Sequence, residues 1–115
     1  MISSDLRDCL PIIEMLPKIR GAALRKQFLS DQYKNDRKIY KAVKEIVTNV
    51  VHKNINLPDS VKKSLLRHKR PIIDLIHDKN KKREKQHLIQ SGGYIHFIIP
   101  AVLELLKSII ADGAE

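Results

Sequence analysis

Tryptophan is absent from this chain of 115 residues, cysteine occurs once, and only 4% of the side chains are aromatic. A lone Cys9 excludes an intramolecular disulfide and fits a reducing compartment. With so few rings, Leu, Ile and Val have to build the core. Four Gly and five Pro argue against a fibrous or low-complexity chain. No run of about 18 uninterrupted apolar residues exists, so a membrane-spanning helix is not expected. The opening Met1-Ile2-Ser3-Ser4-Asp5 lacks the basic-then-apolar layout of a signal peptide, which points to an intracellular, soluble protein.

Catalytic chemistry is missing as well. The histidines, His52, His68, His77, His87 and His96, are scattered without a metal-ligand spacing, and Cys9 has no cysteine partner. No glycine-rich phosphate loop is present. Cys9 falls on an apolar helical position, which suits a small core residue better than a nucleophile. The expectation is a binding protein and not an enzyme, with no metal and no cofactor.

What the chain has is positive charge in one place. Lys and Arg number 22 against 13 acids, for a formal charge of +9. Ten of those cations lie between residues 62 and 85: Lys62, Lys63, Arg67, Lys69, Arg70, Lys79, Lys81, Lys82, Arg83 and Lys85. Only Asp74, Asp78 and Glu84 oppose them, so the segment carries +7 of the total. Such a field attracts polyanions, and phosphate binding needs charge density more than fixed spacing. The alternative is a solvated helix face that keeps the protein soluble or meets an acidic partner. Tyr33, Tyr40 and Tyr94 lie outside the cluster in sequence, so base stacking on single strands is not provided for. Sequence-tolerant contact with nucleic-acid phosphates is therefore expected, with Lys63, Arg67, Lys69, Arg70, Lys81, Lys82, Arg83 and Lys85 foremost.

The apolar spacing is helical almost throughout and predicts an all-α chain, a single compact bundle of five to seven helices. Leu6, Cys9, Leu10 and Ile13 mark a first helix, started by Ser3, Ser4 or Asp5 and ended or bent at Pro17. Ala22, Ala23, Gln27 and Phe28 suggest a short second one. The third is the clearest. Ile39, Ala42, Val43, Ile46, Val47 and Val50 share one stripe, Asn35 or Asp36 can cap it, and Lys38, Lys41 and Lys44 lie mostly opposite. A turn at residues 54–59 leads to a fourth helix with Val61 and Leu65 inward and Lys63, Arg67 and Arg70 on one outward face. Pro71 should break or kink it before a short apolar helix at Ile72, Ile73, Leu75 and Ile76, which gives way to a polar stretch from Asp78 to Gln86.

Gly92-Gly93 is the sharpest boundary, dividing a basic helical domain, 1–91, from a tail, 92–115. In the tail Ile98, Val102, Leu105 and Ile109 form one stripe and Ile99, Leu103, Leu106 and Ile110 the next, predicting an apolar C-terminal helix packed on the same domain. A groove-docking or membrane-active role for this tail is the alternative, although Lys107 alone gives it a cationic side. The glycine pair reads as a helix cap with a flexible joint, or as a processing site.

The order of these features resembles a known group. Glu45-Ile46-Val47-Thr48-Asn49-Val50 precedes an Asn54-Ile55-Asn56-Leu57-Pro58 turn, then Lys63, Leu66 and Lys69, a Lys-rich stretch, Gly92-Gly93 and an apolar tail containing Pro100. Over residues 10 to 110 this resembles the small basic proteins of Polinton/Maverick elements and adintoviruses. Their tails are similar to the end of the adenovirus core protein X precursor. The resemblance implies a genome-condensing, virion core-like role in nucleus or virion, in a viral or transposon-derived gene. It also implies contacts with capsid proteins or further copies, and a candidate cut after Gly93 by an adenovirus-type cysteine protease. Gln90 stands four residues before that cut, where such proteases favour an aliphatic residue, and Tyr94-Ile95-His96-Phe97 replaces the usual Phe-Leu-Pro. The competing class is a helical protein-interaction adaptor or an oligomerising structural protein.

Overall fold

Residues 38 to 51 hold the broadest apolar stripe in the chain, and the fold is arranged around the helix they form. A computed structural model describes residues 3–52, 57–92 and 95–104. Its helices are α1 (Ser4–Ile13), α2 (Ala22–Asn35), α3 (Lys38–Val51), α4 (Asp59–Arg67), α5 (Lys69–His77) and α6 (Glu84–Gly92). Single turns of 3₁₀ helix lie at Leu16–Lys18, Lys81–Arg83 and Ile95–Phe97, and residues 99–104 are helical again. No strand occurs among the described residues, so the chain is an all-α bundle. Its radius of gyration, 13.3 Å, is that of a compact domain of this length, about 13 Å.

α3 packs against α1, α2, α5 and α6 and buries Ile39, Tyr40, Ala42, Val43, Ile46, Val47 and Val50. Its β-branched residues each cost up to about 0.7 kcal/mol of helix propensity. Burying each apolar side chain contributes roughly 1.5–3 kcal/mol, so packing decides the conformation. α1 lies along α3, with Leu6, Cys9, Leu10 and Ile13 inward. Ser3 caps it: Oγ accepts from the Leu6 amide at 3.1 Å, and the Ser3 amide donates to Glu45 Oε2 at 3.3 Å. Ser3→Ala is expected to lower stability by about 1 kcal/mol in urea unfolding, and an unchanged midpoint would show that the cap contributes nothing.

Several boundaries differ from those the periodicity suggests. α1 ends at Ile13, well before Pro17, which sits instead in the following 3₁₀ turn. Pro11 lies inside α1 and leaves the Arg7 carbonyl without its i+4 donor, so the helix is already weakened one turn earlier. α2 is not short: its 14 residues run on through Asn35, with Arg25 and Leu29 buried and Phe28 and Tyr33 packed against the core. Gly21 starts it with φ at 91°, the left-handed region that glycine favours. Asp36 does serve α3, its Oδ1 accepting from the Lys38 amide at 2.9 Å, although Arg37 occupies the cap position. The break expected at Pro71 falls at His68, between α4 and α5. Proline has no N–H for the carbonyl of Arg67, so the upstream helix stops there and Pro71 is carried in the first turn of the next.

The polar stretch from Asp78 to Gln86 ends in the first turn of α6, which packs on α2, α5 and α3. Leu88, His87, Ser91 and Gly92 are buried in it. Gly92 is thus buried at the end of α6. Ile95, Ile98, Ile99, Val102 and Leu103 join the same core as α1 and α3. Gly93, Tyr94, Asn54 to Asn56, and Leu105, Leu106, Lys107, Ile109 and Ile110 of the expected tail helix lie outside the described residues. No helix among the described residues is long and apolar enough to cross a membrane.

Candidate nucleic-acid interface

The ten cations of the charged segment occupy four neighbouring stretches. Lys62, Lys63 and Arg67 are on α4; Lys69 and Arg70 open α5; Lys79, Lys81, Lys82 and Arg83 form the turn before α6; Lys85 is in α6. All are exposed except Lys85, which is half-buried. Lys63, Arg67 and Arg70 do not share one helix face, because the chain breaks at His68. α4 contributes no fully buried residue, only Val61 and Leu65 half-buried against the core. Its cations therefore sit on the least anchored helix. Arg70 is also engaged with Asp74 at 3.7 Å, and Arg83 with Asp78 at 3.5 Å.

A second group of cations faces the turn from α3. A concavity of about 430 Å³ opens between them, lined by Arg37, Tyr40, Lys41, Lys44, Glu45, Lys79, Lys81 and Glu84. Lys79 and Lys81 thus face Lys41 and Lys44, which precede them by almost forty positions. Both acids of the lining accept hydrogen bonds. Glu45 accepts from the Ser3 amide. Buried Glu84 accepts from Arg37 Nε at 2.6 Å, from Arg37 Nη2, and from the Tyr33 hydroxyl at 3.1 Å. Those Arg37 hydrogen bonds hold the Glu84 carboxyl below its ordinary range despite burial, and the same bonds raise the Arg37 guanidinium. No ion pair joins Lys41, Lys44, Lys79 or Lys81 to a carboxylate among the described residues. Tyr40, expected to lie apart from the charge, lines the concavity, but its ring is buried and Lys44 Nζ stands 5.7 Å from the ring centre.

The turn that presents Lys79 to Arg83 is built on one carboxylate. Asp78 Oδ1 accepts from the Asn80 amide at 2.9 Å, and Asn80 Oδ1 accepts from the Lys82 amide at 3.0 Å. Asp78 Oδ2 takes Nε2 of buried His87 at 2.8 Å. The Asn80 amide first, then His87 and Arg83, keep the Asp78 carboxyl below its usual value.

Burial, followed by Asp36, Asp5 and Asp8, pushes the Cys9 thiol upward, which disfavours the thiolate a nucleophile needs. No group of three or more His, Cys, Asp or Glu able to hold a metal occurs among the described residues. The sequence signal for the missed half of the site was present. Arg37, Lys41 and Lys44, at i, i+4 and i+7, share one side of α3, but nothing local says that a second set of lysines lies opposite. Compared with protein families, characterised proteins and solved structures, the chain matches none.

Proposed function

We propose that this protein binds nucleic acid through backbone phosphates, without reading base sequence, as a genome-condensing or virion core-like protein of a viral or transposon-derived gene. The observation that carries the reading is the set of exposed, largely unpaired cations on α4, at the start of α5 and in the Lys79–Arg83 turn. Such groups neutralise phosphates and release counterions, which gives affinity without base recognition. No recognition helix with base-reading side chains is required. The exposed apolar residues Met15, Leu24, Val51 and Leu66 come from four different helices or turns. Singly exposed apolar residues are ordinary on a soluble protein, so they give the adaptor reading no specific support.

Binding to a random-sequence DNA duplex across a salt series tests this. Log affinity is expected to fall linearly with log salt, and the slope divided by about 0.9 counts the phosphates neutralised. A count of several, equal for duplexes of different sequence, is the expected result. Absence of binding at low salt would sink the nucleic-acid reading and turn attention to an acidic protein partner.

A further inference from the structure

We infer that the concavity between α3 and the Lys79–Lys81 segment is the seat of one strand of a duplex backbone. This rests on the nucleic-acid reading and names the site within it. Four lysines stand on two walls of one groove, Lys41 and Lys44 facing Lys79 and Lys81. The acids beside them, Glu45 and Glu84, already accept hydrogen bonds from Ser3 and from Arg37 and Tyr33. With Arg37 the lining carries five cations against these two acids, a net charge of +3 that favours an anion. A phosphodiester strand offers those anions at regular spacing, one per about 3.4 Å of duplex axis. The Tyr40 ring is buried beneath Lys44 and presents no face for an unstacked base. The backbone of a duplex fits this lining better than a splayed single strand.

One wall depends on a residue of the wrong charge for the ligand. Asp78 holds the Asn80 amide and buried His87, and so ties the lysine-bearing turn to α6. Asp78 is a positioning residue, acting on phosphate through Lys79 and Lys81.

The test compares salt slopes on a short random-sequence duplex. Lys41→Gln with Lys44→Gln is expected to lower the slope by about 1.8, the loss of two phosphate contacts. Lys62→Gln with Lys63→Gln on α4 removes the same charge and is expected to lower it by less than about half as much. Asp78→Ala removes a negative charge, which by the general field alone strengthens binding. Seated as described, it instead weakens binding and lowers the slope while the far-ultraviolet dichroism stays helical. Asp78→Asn, which keeps an acceptor for Asn80, is the milder variant and is expected to fall between. Equal slopes for the two lysine pairs, or tighter binding by either Asp78 variant, overturn the groove while leaving the nucleic-acid reading intact. A wild-type protein that does not bind the duplex overturns both.

Discussion

Replacing Gly92 by alanine is expected to destabilise the protein by about 2 kcal/mol, the usual range for forcing a methyl into a packed core. In an exposed helix the same change gains up to about 1 kcal/mol, so the sign of the effect is itself diagnostic. Gly92 is buried at the end of α6, and a Cβ built there would stand 1.8 Å from Leu29 Cδ1 and 3.3 Å from Leu29 Cγ. Leu29 is fully buried in α2, so its side chain has to repack among core neighbours. Either Leu29 leaves its rotamer or α2 and α6 separate. For a domain of this size the loss corresponds to a fall in Tm of roughly 10 °C. A double-mutant cycle with Leu29→Ala separates this contact from a general helix effect. Leu29→Ala alone should cost about 2–5 kcal/mol, and adding Gly92→Ala to it should cost little or restore stability, because the new methyl enters the vacated space. A neutral Gly92→Ala, or a strictly additive cycle, would show that the helices do not approach so closely. The same burial bears on processing at Gly92-Gly93. A protease takes its substrate extended, so cutting beside Gly92 requires the end of α6 to leave its seat on Leu29.

The second large effect concerns Glu84. Its carboxylate is 7% exposed and receives both the Arg37 guanidinium and the Tyr33 hydroxyl, tying the start of α6 to the α2–α3 corner. Glu84→Gln keeps the shape and removes the charge, and it is expected to cost about 2 kcal/mol at neutral pH. Half of the Arg37 side chain stays in solvent, which argues against a larger loss. The pH dependence has a definite sign. Because Arg37 holds the folded carboxyl below its ordinary 4.5, the pair's contribution is complete above that value and is lost as pH falls through the folded pKa. Asp78, lowered from 3.8 by Asn80 and His87, adds to the same acid loss. Urea midpoints followed from pH 7 into the acid should therefore drop for the wild type and drop less for Glu84→Gln. Parallel curves for the two proteins would mean that Glu84 is not the titrating group.

Much of the architecture is legible in local pattern. The stripe from Ile39 to Val50 dictates α3, and its apolar excess outweighs poor propensity wherever the helix sits. Asp36 and Ser3 announce their helix starts by chemistry that acts within three residues. α6 was not legible, because its buried face includes Glu84, His87, Ser91 and Gly92, none of which reads as core. Three of these are buried for a reason supplied from elsewhere in the fold: Arg37 and Tyr33 for Glu84, Asp78 for His87, Leu29 for Gly92.

The amino-acid sequence by itself determined the helical class, the lack of an intramolecular disulfide, and the cations between residues 62 and 85, since composition and periodicity are properties of the chain alone. Only the tertiary structure decided which of those cations face one another. Lys79 and Lys81 acquire partners across a groove from Lys41 and Lys44, and the neutralisation of Glu84 depends on Arg37, 47 positions away. Periodicity tells which side of a helix seeks cover, but the identity of the covering element is set by how all the helices fill one core. Pairings between distant residues follow from that packing.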